Sequence, residues 1–323
     1  MISILMAAYN GEKYITRQIE SILSQTCRDF KLYIRDDRST DNTLKIIQDY
    51  ADKNPGIIFI KQNNENTGGT KKNFLDMMID IKDDYIMLCD QDDIWLPDKI
   101  EKSLKLIREM EREHGSSTPV LVHTDLTVVN NNLDVISSSY KKMSGKNFNK
   151  TSLNHVVALN NIAGCTAMYN RALADFFQDV PDFFVMHDWW LSLTAAVYGK
   201  IASLKESTIL YRQHEGNEKG AKKVLSPGYV FYVLTNLKTM AGLIDDSYAQ
   251  AGSFVDLHRE KLSEEQLKLL AAYASIPGLS RVKRLQTVFK YKTFMHGTAR
   301  KVMQVIFLLV NRKNNGEQGT GNR

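Results

Sequence analysis

Three carboxylates crowded at the end of an apolar run set the chemical question for this chain. The segment Tyr85-Ile86-Met87-Leu88-Cys89 is apolar and β-prone, and it stops at Asp90-Gln91-Asp92-Asp93. Like charges this close repel and resist desolvation unless a cation sits among them. A divalent ion is the simplest such cation. Hard carboxylate oxygens suit Mg²⁺ or Mn²⁺, and Mg²⁺ commonly takes only one or two protein carboxylates, filling its shell with water and substrate phosphates. An Asp-rich turn capping the next helix would give the same string of residues, so the cluster alone leaves both readings open.

The elements that must position these residues follow from periodicity. Ile2 to Ala8 reads as a buried strand, and Tyr14 to Gln25 carries Ile15, Ile19, Ile22 and Leu23 at helical spacing. Phe30 to Arg35 is a second strand ending at Asp36-Asp37, with Ser39 to Thr43 supplying turn and cap chemistry for a helix through Tyr50. A strand at Ile57 to Lys61, a loop at Asn64 to Gly69 and a helix at Lys72 to Ile81 lead to the strand at Tyr85. Strands alternating with helices in this way imply an α/β fold, a mostly parallel sheet flanked by helices. In such sheets ligands bind beyond the carboxyl ends of the strands. Asn10, Asp36, Asp37, Gly68, Asp90, Asp92 and Asp93 all fall there.

Further on, a helix is expected from Leu96 to Glu113, with strands at Val120 to Asn130 and Asn161 to Tyr169 and a short helix from Ala172. A helix follows from about Trp189 to Tyr198, then strands at Lys200 to Leu204 and Ile209 to His214. A boundary near 220–228, marked by Gly220 and Pro227, divides a first domain (1–225) from a helical, basic C-terminal extension (226–323). Net charge is only +5, yet Arg281 to Lys313 holds nine Lys or Arg and no Asp or Glu. Its apolar run, Val302 to Val310, is too short to span a bilayer, which takes about 20 residues. An amphipathic basic helix here suits an anionic membrane surface, or alternatively packs on the first domain with its charges solvated. No base-reading motif accompanies the basic residues, so nucleic acid is not expected as a partner. Cys27, Cys89 and Cys165 are odd in number and show no CxxC spacing, which argues against a disulfide framework or zinc site and fits a reduced, cytoplasmic setting. The first residues lack the features of a secretory signal.

Taken in order, the motifs resemble a known family. They are Ala7-Ala8-Tyr9-Asn10-Gly11, Arg35-Asp36-Asp37-Arg38-Ser39, Asn66-Thr67-Gly68-Gly69, Asp90-Gln91-Asp92-Asp93, His187-Asp188-Trp189-Trp190 and Tyr211-Arg212-Gln213-His214. Over about residues 1–220 the chain resembles the family 2 glycosyltransferases of GT-A (Rossmann-like) fold. It is most similar to the bacterial rhamnosyltransferase-like members of cell-wall, capsule and O-antigen polysaccharide assembly. A histidine before the base, here His187, is a familiar variant in that subgroup.

The resemblance implies a nucleotide-sugar donor, dTDP- or UDP-linked, with L-rhamnose as the subgroup's sugar. It implies a polyprenyl-linked or polysaccharide acceptor, and a protein peripheral at the inner face of the cell membrane. It assigns the metal to Asp92, Asp93 and His214. Ala8, Tyr9, Asn10, Asp36, Asp37, Gly68, Asp90, Gln91 and Arg212 would hold the nucleotide-sugar: Asp37 on the pyrimidine ring, Asp90 near the ribose, Arg212 on phosphate. Asp188 would be the catalytic base of an inverting transfer, although an aspartate there would also serve as an N-cap. Asn161 and Gly164-Cys165-Thr166 resemble a segment near the sugar pocket, while His123 and Asp125 have no evident role. A nucleotide- or glycan-binding scaffold without activity is the alternative. A dinucleotide oxidoreductase is disfavoured because no GxGxxG follows the first strand.

Overall fold

The computed structural model describes residues 1–62, 66–177, 181, 183–214 and 237–310. Strands β1 (Ile2–Ala8), β2 (Phe30–Asp36), β3 (Ile58–Gln62) and β4 (Tyr85–Asp90) alternate with helices α1 (Ile15–Leu23), α2 (Thr43–Lys53) and α3 (Thr70–Asp80). Next come β5 (Ile94–Trp95), α4 (Lys99–His114), β6 (Val120–Val129), β7 (Val135–Ser137) and the short helices α5 (Tyr140–Ser144) and α6 (Leu153–Val156). They are followed by β8 (Ala167–Asn170), α7 (Arg171–Ala174), α8 (His187–Tyr198) and β9 (Lys200–Arg212). Helices α9 (Leu237–His258), α10 (Glu264–Ala274), α11 (Arg281–Tyr291) and α12 (Thr298–Leu309) complete the described chain.

The strands form one sheet in the order β3-β2-β1-β4-β8-β6-β9-β5, with β7 on β6. The longest ladders, β1 with β2, β1 with β4 and β6 with β9, are parallel. Antiparallel β8 joins the two halves through β4 and β6. Helices cover both faces, and the period of two along β1 shows why. Ile2, Ile4, Met6 and Ala8 enter a core cluster with Ile15, Ile19, Ile22 and Ile107, while Leu5 enters the opposite cluster with Phe74, Met77 and Trp190. Helix α9 buries Ile244, Tyr248, Phe254 and Val255 in that second cluster, as does α12 with Met303 and Phe307. The C-terminal helices therefore share a core with α3 and α8.

Three elements differ from the expectation. The stretch from Asn161 is not a strand until Ala167, because local bonds hold it in turns: Ile162 N–H donates to Asn160 Oδ1 (3.0 Å) and Thr166 Oγ1 to Ala163 O (2.7 Å). The two strands expected after Lys200 are one 13-residue strand, whose register with β6 shifts around Asp125. Strand β5 was not foreseen from two residues. It pairs Ile94 with Leu210 and Trp95 with Ile209, folding the acidic turn back onto β9. The loop from Gly216 and the boundary near 220–228 lie outside the described residues, as do Asn64 and Glu65.

Candidate active site

A cleft of ≈720 Å³ opens at the carboxyl ends of β1, β2 and β4. The turn after β1 lies against the acidic turn through Gln91, whose side chain accepts from Tyr9 N–H (3.0 Å) and donates to Tyr9 O (2.8 Å). Gly11 is required by this clamp, since a Cβ there would stand 2.1 Å from Gln91 Oε1. Asn10 adopts φ 47°, accepts from Thr40 N–H at its Oδ1 (2.8 Å) and so ties the β1 turn to the β2 turn. Ala8, Tyr9 and Gln91 line the cleft.

The two aspartates after β2 divide their work. Asp36 is buried and accepts from both the amide and the hydroxyl of Ser39, which makes it a turn builder. Asp37 faces the cleft, and its carboxylate accepts from Thr67 N–H (2.7 Å) and Thr67 Oγ1 (2.8 Å). These bonds fix the loop before α3, in which Gly68 takes φ 79° and also lines the cleft.

Asp90 and Asp92 line the same cleft, whereas Asp93 is fully buried behind them. Asp92 Oδ2 lies 2.8 Å from His214 Nε2, and the Tyr14 ring stacks on His214 with centroids 4.7 Å apart. Asp93 Oδ1 accepts from Arg212 N–H (3.2 Å). Burial, with the neighbouring Asp92 and Asp90 charges, drives the Asp93 carboxyl well above the usual range. Behind it, the buried Lys99 ammonium sits over the Trp95 ring at 4.7 Å, and burial lowers it to about 8. Possible ligand atoms of Asp90, Asp93 and Cys165 fall within 4.8 Å of one another. That cluster holds two carboxylates and a thiol and includes neither Asp92 nor His214, which pair with each other beside it; the carboxylate oxygens of the turn are hard donors of the kind Mg²⁺ or Mn²⁺ takes. Arg212 is engaged elsewhere: Nε donates to Asp92 O (3.0 Å) and Nη1 to Asn131 O (2.7 Å), so it braces the acidic turn and does not line the cleft.

Asp188 also lines the cleft. It is the second residue of α8, whose N-cap is Met186, so the capping position is not its own. Gly164 packs under it: a Cβ there would stand 3.0 Å from His187 Nε2 and 3.3 Å from Asp188 Cβ. Trp189 and Trp190 are core residues, with Trp189 Nε1 donating to Val156 O (2.7 Å). His123 is sealed beneath Phe148, and Asp125 accepts from Ser139 Oγ and Lys141 N–H to hold α5, so both belong to the scaffold. The sequence reading missed the opposite wall, which includes Tyr140, Lys146, Leu243, Met295, Arg300 and Met303. The only signal for it was the basic stretch after Arg281, which gave no hint of turning inward.

A mostly parallel sheet with carboxylates at its strand ends and helices on both faces is the architecture of GT-A glycosyltransferases. TarS of S. aureus, residues 1–349, solved with UDP-GlcNAc, superposes with a TM-score of 0.57 at 18% identity, covering 90% of this chain and 80% of that one. The mannosyltransferase PcManGT of Pyrobaculum calidifontis, solved with GDP-Man and Mn²⁺, gives 0.50 at 14% identity over 95% and 84%. The family model for glycosyl transferase family 2 matches residues 3–177, and the chain belongs to that family. It is 31% identical over 227 residues to the dTDP-rhamnosyl transferase RfbG of Shigella flexneri, covering 67% of this chain and 74% of that protein. It is 29% identical over 217 residues to the uncharacterized protein Rv1520 of Mycobacterium tuberculosis, spanning 59% of its length.

Proposed function

We propose that this family 2 glycosyltransferase is an inverting, metal-dependent enzyme that moves L-rhamnose from a dTDP-linked donor to a polyprenyl-linked or polysaccharide acceptor. The observation that carries this reading is the convergence of Asp37, Asp90, Asp92 and Asp188 on one cleft, with His214 held against Asp92. The likeness to RfbG is what favours rhamnose and dTDP. Residues 1–225 would form the catalytic domain and 226–323 its extension.

In this reading Asp37 and the Ala8–Tyr9 turn receive the nucleoside, with Asp90 toward the ribose. Asp92 and His214, backed by Asp93, would hold Mg²⁺ or Mn²⁺. A metal bound there supplies Lewis-acid stabilisation of the charge that gathers on the departing diphosphate. Asp188 takes the proton of the acceptor hydroxyl as its oxygen bonds to the anomeric carbon. The bond from that carbon to the phosphate oxygen breaks, its electron pair leaves with the nucleoside diphosphate, and the anomeric configuration inverts.

A calorimetric panel of dTDP, UDP and GDP, each with and without Mn²⁺, tests the donor. The expected result is Mn²⁺-dependent binding with dTDP at least about tenfold tighter than GDP, a difference of about 1.4 kcal/mol. A preference for UDP discards rhamnose and keeps the glycosyltransferase. Binding of a nucleotide without turnover across a broad acceptor panel favours the scaffold alternative, and no binding at all overturns the reading.

A polyprenyl-linked acceptor would bring the protein to a membrane surface. No described helix is long and apolar enough to cross a membrane. Helices α11 and α12 expose Val282, Phe289, Val302 and Ile306, with Arg281, Lys283, Lys290 and Lys301 in the same segments. Such a surface binds anionic lipid through apolar burial and charge together. Co-sedimentation with vesicles of phosphatidylglycerol and phosphatidylcholine is expected, with much less on phosphatidylcholine alone. Equal partitioning to both, or to neither, counts against the attachment.

A further inference from the structure

The wall facing the nucleotide side holds a cation that nothing above employs. Arg300, in the first turn of α12, lines the cleft yet is 8% exposed. Its Nη2 donates to Ser144 O (2.7 Å), while among the described residues Nη1 has no hydrogen-bond partner and no carboxylate pairs with the guanidinium. A buried guanidinium left unpaired is costly, and a carboxylate or phosphate matches its fork far better than water does in so confined a place.

Lys146, half-buried, lines the cleft as well, with its ammonium 5.5 Å from the centre of the Tyr140 ring. Neither cation has an acidic partner among the described residues. His296, buried beside them, donates from Nε2 to Asn161 Oδ1, and its Nδ1 is unpartnered among the described residues. Burial holds the His296 pKa down to about 3, and the Arg300, Lys146, His155 and Lys150 charges push the same way. The charges that act most on that ring are therefore positive. The cleft is lined by both signs: its carboxylates Asp37, Asp90, Asp92 and Asp188 are those given above to donor, metal and base, and its Lys and Arg side chains among the described residues are Lys146 and Arg300.

We infer that Arg300 and Lys146 form an oxyanion subsite for the acceptor, so that the acceptor carries a phosphate or carboxylate group close to the hydroxyl that is glycosylated. The inference deepens the glycosyltransferase reading and rests on it for the word acceptor. The donor's diphosphate is assigned above to the acidic turn, which leaves this pair of cations for the acceptor. Two sources share the chemistry: the diphosphate that links a glycan to a lipid, and an acidic sugar or phosphodiester within a polymer.

The test measures binding of three detergent-like probes, decyl diphosphate, decyl β-D-glucuronide and neutral decyl maltoside, below their micelle concentrations, to the full chain with and without dTDP and Mn²⁺. At least one anionic probe is expected to bind about tenfold tighter than the neutral one, the scale of a charge-assisted hydrogen bond. Arg300→Gln should remove that preference, Arg300→Lys should restore part of it, and Lys146→Gln, on the loop after α5, should weaken it several-fold without risk to α12. Preference for the diphosphate identifies a lipid-linked acceptor, and preference for the glucuronide an acidic glycan. Equal binding of all three probes, or a preference untouched by both Arg300→Gln and Lys146→Gln, overturns the subsite. Loss of dTDP affinity in a folded Arg300→Gln protein reassigns the arginine to the donor and also overturns it. Failure of every nucleotide to bind the wild type, with anionic probes still bound, would instead sink the glycosyltransferase reading and spare the anion site.

Discussion

Asp188→Asn is expected to yield a folded protein that binds donor nucleotide with Mn²⁺ as the wild type does and transfers almost no sugar. The substitution keeps the shape of the side chain and removes its ability to take a proton. A positioned base contributes about 10²- to 10⁴-fold, so single-turnover transfer should fall by about three orders of magnitude. Nucleotide affinity should stay within about twofold, a few tenths of a kcal/mol. Stability should hold for a reason visible in α8: Met186, and not Asp188, is the N-cap. The charge in the first turn contributes about 0.3–1 kcal/mol through the helix dipole, a small loss on substitution. The aspartate is kept in place by its surroundings, with Gly164 beneath it and the adjacent His187 ring 4.4 Å from the Phe74 centroid. Measured together, transfer rate and calorimetric affinity separate a base from a binding residue. Full transfer activity in Asp188→Asn would remove Asp188 from the mechanism, and a parallel loss of nucleotide binding would make it a donor ligand instead.

The convergence of the strand-end aspartates on one cleft was legible in the sequence, because each of them follows a strand and strand ends in a parallel sheet share one edge. Asp37, Asp90 and Asp92 needed only that rule. What periodicity does not carry is direction. Asp36 and Asp37 are neighbours in sequence, yet one turns back to Ser39 and the other faces the cleft. Arg212 appeared suited to phosphate, but β5 brings the acidic turn onto β9 and gives its guanidinium two backbone carbonyls to hold. A two-residue strand leaves no pattern to read. The second wall was hidden for a different reason. Its residues come from turns after β7 and from helices more than a hundred residues away. Met303 and Arg300 lie in a basic amphipathic stretch whose inward face cannot be told from its outward one by spacing alone. The outward face, with Val302 and Ile306 exposed, fits the same helical period.

Asp92→Ala should abolish the Mn²⁺ dependence of nucleotide binding, the second large effect. In the wild type, Mn²⁺ is expected to tighten dTDP binding by at least about tenfold, since a divalent ion neutralises diphosphate charge that the acidic turn would otherwise repel. Removing Asp92 takes away the carboxylate that both lines the cleft and contacts His214. The remaining candidates cannot substitute for it. Asp93 is fully buried behind the turn and does not line the cleft, so it backs the site and does not replace Asp92 at the cleft. Asp90 alone offers one carboxylate, without the imidazole. The variant should therefore bind dTDP equally with and without Mn²⁺. Its thermal unfolding should no longer rise with Mn²⁺ and dTDP together, because a ligand that binds only the native state stabilises it in proportion to the logarithm of its saturation. His214→Ala should show a partial loss, as the imidazole is one ligand among oxygens. Asp92→Asn guards against a trivial unfolding result, since it preserves the side-chain volume next to Arg212. If Asp92→Ala and wild type give the same pair of titrations, with and without Mn²⁺, the metal lies elsewhere or is not used. If only His214→Ala loses the dependence, the imidazole rather than the carboxylate turn anchors the ion.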